Sequence, residues 1–117
     1  MSSTSVLIVD DEKDLVSTYS EYLSLHGIKT NTAYDGCEAF TVYEKTMPDL
    51  VLMDINMPKY DGNYAIEKIK EKYEHAKILV ITGNVDYKFE KNMVNKILYK
   101  PLKLKELREI IINECKN

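Results

Sequence analysis

Short apolar runs alternate along the chain with longer segments in which apolar residues recur every three or four positions. Apolar runs of about four residues bounded by turn residues are typical of buried strands, and the wider spacing is typical of amphipathic helices. The pattern predicts strands at residues 6–9, 28–33, 50–53, 78–81 and 97–99. The second of these is more polar and alternates, so we expect it at an edge of the sheet.

A helical segment is predicted after each strand. The first ends at Gly27, the second runs from Asp35-Gly36 to Pro48, the third from Gly62 to about Tyr73, and the last to about Cys115. The segment 86–95 is the weakest helix prediction and is expected to be short or mobile. The inward-facing residues of the other four are predicted to be Leu15, Tyr19, Tyr22 and Leu23; Phe40, Tyr43 and Met47; Ile66, Ile69 and Tyr73; and Leu104, Leu107 and Ile111.

Five strands alternating with five helices predict an α/β fold, a doubly wound parallel sheet. The length of 117 residues and an apolar content of 44% suit one domain, residues 1–117, with one core. The apolar runs are too short to span a bilayer and no signal peptide is recognisable, so we expect a soluble cytoplasmic protein. Cys37 and Cys115 lie far apart without metal-type spacing and are expected to be free thiols.

The net charge of -3 is unevenly distributed. Acidic residues predominate in residues 1–66 and basic residues in 67–117. Lysine and glutamate are interleaved in the second part, which indicates a solvated helical surface more than a nucleic-acid interface. We therefore expect no direct binding to nucleic acid.

Charged and polar residues stand where the apolar strands end. Asp10 and Asp11 follow the first strand, Asp54 ends the third, Thr82 ends the fourth and Lys100 follows the fifth. Right-handed crossovers bring the carboxyl ends of these strands to one edge of the sheet. We therefore expect the five side chains to converge, although Asp10 alone is also compatible with a helix cap, and Thr82 and Lys100 with ordinary strand ends.

Three carboxylates held together repel one another, and a bound cation or a shared proton relieves the repulsion. Oxygen ligands favour a hard metal, so Mg²⁺ is the expected ion. With the cation in place one carboxylate can attack phosphorus, while Lys100 and Thr82 share the charge on the phosphoryl oxygens. The constellation predicts phosphoryl transfer.

The whole set closely resembles the receiver domain of two-component response regulators. The resemblance is carried by five elements in order: Asp10-Asp11 after VLIV, PDLVLMDINMP with Asp54, the Asp61-Gly62 turn, Thr82-Gly83 after ILVI, and Lys100-Pro101. It implies a flavodoxin-like sheet of strand order 2-1-3-4-5 flanked by five helices, of which the fourth is expected to be short in this chain because of the spacing between Thr82 and Lys100.

The resemblance also implies roles for individual residues. Asp54 is the expected phosphoacceptor, supplied by a phosphohistidine on a sensor histidine kinase or by a phosphotransfer protein. Asp11, Asp54 and the Asn56 carbonyl are the expected Mg²⁺ ligands, with Asp10 acting through water. Lys100 and Thr82 are expected to contact the phosphoryl group, and the Lys100-Pro101 peptide is expected to be cis. Asn56 and Asn84 match positions that tune the lifetime of the aspartyl phosphate.

Two departures from the family pattern affect the output surface. The segment between Thr82 and Lys100 is shorter than usual by about four residues, or one helical turn. Ile97 stands where the family has an aromatic residue that moves with the threonine. Tyr99 lies on the same strand face as Ile97 and either replaces that aromatic residue or packs in the core. We expect the signal to be read through Thr82 and a mobile segment 86–95.

The sequence thus predicts a stand-alone receiver that catalyses only its own phosphorylation and dephosphorylation, and signals by altered protein binding. An unphosphorylated adaptor with the same fold is the main alternative. An aspartate-nucleophile phosphatase needs a second Asp two residues after its nucleophile, where this chain has Asn56 after Asp54 and Glu12 after Asp10. A flavin binder would need Ser, Thr and Gly donors in the acidic first loop.

Overall fold

The computed structural model describes residues 4–55, 62–83 and 93–116, and within them it contains five strands and four helices. The strands are β1 (Ser5–Val9), β2 (Lys29–Ala33), β3 (Leu50–Asp54), β4 (Ile78–Thr82) and β5 (Lys96–Tyr99). The helices are α1 (Lys13–Leu25), α2 (Gly36–Thr46), α3 (Gly62–Lys72) and α4 (Leu104–Cys115). None of these helices has the length and apolar composition that a membrane crossing requires.

The predicted sheet is confirmed. All neighbouring strands pair in parallel, in the order β2-β1-β3-β4-β5, so β2 lies at an edge as expected. The predicted fifth helix, at 86–95, falls mostly outside the described residues, and the described part of it, residues 93–95, is not helical. The structure therefore contains four of the five expected helices within the residues that it describes.

Side chains of the inner strands alternate between two core layers. Leu7 and Val9 of β1 face the layer that α2 and α3 cover, and Val6 and Ile8 face the layer that α1 and α4 cover. Every residue of β3 and β4 is buried. Because burial of one aliphatic side chain contributes about 1.5–3 kcal/mol, these two layers are the main stabilisation of the sheet.

Residues at the ends of α1 and α2 have the capping conformations that their residue types favour. The Asp35 side chain caps α2 by accepting the Glu38 N–H at 2.8 Å, which confirms the predicted start. After α1, Gly27 takes a φ of 79°, a left-handed conformation that suits glycine. In α1, Tyr19 and Leu23 are buried as predicted.

The predicted inward position of Met47 is wrong. α2 ends at Thr46, and Met47 adopts a left-handed φ of 44° as the C-cap residue. Its N–H still donates to the Tyr43 carbonyl, but the left-handed turn breaks the helical period and carries the side chain outward. Met47 is consequently 53% exposed, whereas Tyr43, on the predicted inward face, is buried.

Candidate phosphoryl-transfer site

The predicted convergence at the carboxyl edge of the sheet is observed for its acidic members. One carboxylate oxygen from each of Asp10, Asp11 and Asp54 lies within 4.8 Å of the others. Asp10 and Asp54 are only 3% and 6% exposed, whereas Asp11 is exposed. The sheet therefore holds two buried acids and one solvent-facing acid at a single point, although like charges at this separation repel one another.

Asp10 is the most constrained acid of the cluster. Its Oδ1 accepts the Glu12 N–H at 3.0 Å and so orders the turn before α1, but the N-cap residue of α1 is Glu12 and no side chain among the described residues caps this helix, so the capping role considered for Asp10 is wrong. Its Oδ2 lies 3.4 Å from the Lys100 Nζ. Asp10 thus performs both a local backbone role and a role in the charged site.

Lys100 reaches the cluster from the end of β5. Its N–H donates to the Thr82 carbonyl at 2.9 Å, and its peptide bond to Pro101 is cis, as the family resemblance implied. Burial alone would lower the pKa of Lys100, but the nearby charges of Asp10 and Asp54 outweigh burial and hold the pKa above its ordinary value. The ammonium therefore stays charged and offsets part of the negative charge.

Thr82 and Tyr99 end neighbouring strands in register. Thr82 is fully buried, whereas Tyr99 is 44% exposed and does not belong to either core layer. Ile97 packs partly buried against the layer covered by α2 and α3. The core-packing alternative for Tyr99 is therefore wrong, and this aromatic residue presents its ring to solvent beside Thr82.

Gly62 matters to the site in a way that the sequence did not reveal. The sequence predicted a turn and the start of a helix there, and the structure adds that Gly62 is buried and lies directly against the end of β3. A Cβ at this position would come within 2.6 Å of the Asp54 carbonyl oxygen and 2.9 Å of the Ile55 Cα. Glycine is thus needed for close approach to the backbone that carries Asp54.

A cleft of about 490 Å³ opens beside the charged cluster. One wall is α1 and the other is the segment after β5, and Lys100 belongs to both the cleft and the cluster. Its lining includes Leu15, Thr18 and Tyr19 on one side and Lys100, Pro101 and Leu102 on the other. Tyr19 was predicted only as a core residue. The spacing of apolar residues along a helix does not indicate which other segments lie next to that helix.

Several predicted features lie outside the described residues. They are the proposed carbonyl ligand Asn56, the turn residue Asp61, the lifetime-tuning position Asn84 and most of the segment 86–95.

The described acids suit a divalent cation. The three candidate ligands Asp10, Asp11 and Asp54 offer oxygen atoms alone, and oxygen-only sets favour hard ions such as Mg²⁺. Two of the acids are nearly inaccessible to water, so solvent screens their repulsion poorly. The donor chemistry and the excess of negative charge therefore both fit the predicted ion.

Comparison with known proteins identifies the same class of domain. A family model described as the response regulator receiver domain matches residues 6–112. The sporulation initiation phosphotransferase F of Bacillus subtilis is 28% identical over 115 residues, which cover 95% of this chain and 93% of that protein. The transcriptional regulatory protein PrrA of Mycobacterium leprae is 34% identical over 83 residues, which cover 71% of this chain and 36% of PrrA.

Solved structures agree with this likeness. The response regulator protein TrrA of Thermotoga maritima, solved in complex with Mg²⁺ and BeF, superimposes with a TM-score of 0.85 at 28% identity. The match covers 96% of this chain and 98% of that one. Other curated relatives are much longer, and this chain spans only 13% to 19% of their length. The likeness to those relatives concerns one domain of a larger protein.

Proposed function

Since this chain belongs to the response regulator receiver domain family, we propose that it accepts a phosphoryl group on Asp54 from a phosphohistidine. The donor is a sensor histidine kinase or a phosphotransfer protein. The observation that carries the proposal is the grouping of Asp10, Asp11 and Asp54 within 4.8 Å at the edge that Lys100 also reaches. A receiver needs that combination of nucleophile, cation ligands and compensating ammonium in one place.

In the proposed reaction an Asp54 carboxylate oxygen attacks the phosphorus atom. A new O–P bond forms, the N–P bond of the phosphohistidine breaks, and the imidazole nitrogen leaves with the bonding electron pair. Asp54 is buried at the end of β3, so its oxygens are held in position before the donor arrives. Lys100 then donates to a phosphoryl oxygen, and the buried Thr82 hydroxyl at the neighbouring strand end is the second candidate donor.

Asp11 and Asp54 would hold Mg²⁺ directly, with the Asn56 carbonyl as a further ligand and Asp10 acting through water. The bound ion supplies positive charge that offsets both the carboxylate repulsion and the charge on the phosphoryl oxygens. The chain's own contribution is to keep the acids together in its apolar framework and to exclude water from two of them.

The chain is proposed to be a single-turnover phosphoacceptor and not an enzyme that turns over a separate substrate. Its nucleophile becomes the product, and hydrolysis of the aspartyl phosphate restores it. The output is proposed to be altered binding of another protein. The exposed Tyr99 supports this proposal, because it offers that output a surface beside Thr82, two strands away from Asp54.

Intact-mass spectrometry after incubation with acetyl phosphate and Mg²⁺ tests the proposal. We expect one phosphoryl adduct on the wild type, none on Asp54→Asn, and a strongly reduced yield on Asp11→Asn. Asp14→Asn is the matched control, because Asp14 lies in the first turn of α1, exposed, and outside the acidic cluster. An adduct on Asp54→Asn, or no adduct on the folded wild type with several small donors, would contradict the proposal and favour the unphosphorylated adaptor.

A further inference from the structure

Tyr19 is a buried tyrosine that the proposed phosphoryl transfer does not use. It lies on α1, is 5% exposed and packs in the core layer shared with α4. Side chains on a helix lean toward its N-terminus, and α1 begins at Lys13, close after the acids of the cluster. The Tyr19 phenol therefore extends from the core toward the charged edge of the sheet.

The phenol also lies within the electric field of the site. Burial is the main cause that raises the pKa of Tyr19, and the charges of Lys100, Asp10 and Asp54 act on it as well. Among these charges Lys100 has the largest effect, and it lowers the pKa of Tyr19, whereas the acids raise it. Tyr19 and Lys100 also line the same cleft, so their side chains face a common space.

The hydroxyl of Tyr19 has no hydrogen-bond partner among the residues that the structure describes. Because Tyr19 lines an open cleft, its hydroxyl is available to accept a hydrogen bond from a donor in that cleft. The Lys100 ammonium has three donors, and its bond to Asp10 is long, at 3.4 Å. The Asp10 carboxylate accepts hydrogen bonds from two groups, the Lys100 ammonium and the Glu12 N–H.

We propose that Tyr19 is a positioning residue for Lys100: its hydroxyl accepts a hydrogen bond from the Lys100 ammonium when that ammonium leaves Asp10. This inference rests on the proposed function, in which Lys100 must turn from an acid of the resting site toward a phosphoryl group. The Tyr19 hydroxyl then serves as a second hydrogen-bond partner in the cleft, so it limits the number of positions that the long Lys100 side chain can take during that movement. Tyr19 thereby acts through Lys100 and touches no reacting atom.

The first test needs neither metal nor phosphodonor. Tyrosine labelled with ¹³C at Cζ reports hydrogen bonding of each phenol by NMR, and Tyr19→Phe assigns the signal. Asp10→Asn removes the partner charge of Lys100, so we expect the Tyr19 signal to shift clearly further in the wild-type background than in the Lys100→Met background, where only the lost charge of Asp10 acts on the phenol. The Tyr22 signal is the internal control, because Tyr22 lies on the same helix against the His26 ring, 4.7 Å between centroids.

The inference is overturned if Asp10→Asn leaves the Tyr19 signal unmoved. It is equally overturned if the signal shifts by the same amount in both backgrounds, because that shift would report only the lost charge of Asp10.

The second test measures phosphorylation by acetyl phosphate in the presence of Mg²⁺. Tyr19→Phe should lower the rate constant at saturating donor roughly two- to tenfold, the range expected for loss of one hydrogen bond. The half-saturating donor concentration and the melting temperature should stay at wild-type values, since Phe keeps the ring in the core. Tyr22→Phe should change none of the three quantities.

The two tests separate failure of this inference from failure of the proposed function. Wild-type phosphorylation with an unchanged rate in Tyr19→Phe refutes the role of Tyr19 alone. A rate loss that only follows a fall in the folded fraction refutes it as well. Absence of any adduct on the wild type refutes the proposed function, while the NMR comparison still decides whether Tyr19 receives the Lys100 ammonium.

Discussion

Gly62→Ala is the substitution that most directly tests how the backbone of the site is built. The added Cβ would stand 2.6 Å from the Asp54 carbonyl oxygen, 2.8 Å from the Ile55 Cδ1 and 2.9 Å from the Ile55 Cα. Two of these three atoms belong to the backbone, which cannot rotate away as a flexible side chain can. Either α3 or the end of β3 must therefore move.

The expected magnitude follows from two opposing contributions. Overpacking of this kind costs typically about 1–3 kcal/mol. Replacing glycine by alanine at a helix start recovers roughly 0.4–1 kcal/mol, because the unfolded chain loses conformational freedom. We expect a net decrease of about 1–2 kcal/mol in the free energy of unfolding, accompanied by slower phosphorylation, since the displaced backbone carries Asp54.

Chemical denaturation of three glycine variants measures this effect against matched controls. Gly83→Ala introduces a Cβ with no neighbour within 4 Å and should be neutral or slightly stabilising. Gly27→Ala also meets no neighbour but is strained by its φ of 79°, so it should destabilise through the backbone alone and leave phosphorylation intact. If Gly62→Ala is as stable as Gly83→Ala and is phosphorylated at the wild-type rate, the close approach to Asp54 is refuted.

Three further outcomes are expected. Met47→Gly should raise the free energy of unfolding, measured in a denaturation titration, by up to about 1 kcal/mol. Glycine adopts the left-handed C-cap conformation without strain, and the lost Met47 side chain is mostly exposed. A decrease in the free energy of unfolding would contradict this. Burial, followed by the charge of the neighbouring Tyr73, raises the pKa of Tyr43 above 10.0, so the unfolded chain ionises first and stability should fall as pH rises beyond 10.0. Tyr43→Phe should make that decline shallower, and an equally steep decline would show that this tyrosine does not contribute. Iodoacetamide should modify the exposed Cys37 before the half-buried Cys115, because burial raises the pKa of the Cys115 thiol. Peptide mass spectrometry would show the order of modification, and the reverse order would contradict the burial described here.

The sequence predicted the site because each of its charged members is tied to the end of a strand. Asp54 ends a fully buried strand, and Lys100 follows the last one, so parallel pairing alone brings them to the same edge. The apolar period that identifies the strands therefore also identifies the site. No knowledge of side-chain rotamers was needed for that step.

The features that the sequence did not reveal depend on contacts between elements. Met47 continues the apolar period of α2, and only the left-handed turn after Thr46 turns it outward. The role of Gly62 depends on how closely α3 approaches β3, a distance that no local pattern specifies. Tyr19 fits a core position by its period, and its closeness to Lys100 results from the angle at which α1 crosses the sheet.

The pKa of Lys100 gives the sign of the electric field at the site. A partly buried ammonium should have a lowered pKa, yet that of Lys100 is raised, so the field of Asp10 and Asp54 is stronger than the desolvation of the lysine. Three carboxylates are grouped beside this one ammonium, so the described cluster keeps an excess of negative charge. Such a field attracts cations and repels phosphorylated donors, which are themselves anionic. Under the proposed function we therefore expect phosphorylation of Asp54 to require additional positive charge, because without it the acids of the cluster would repel the anionic phosphodonor.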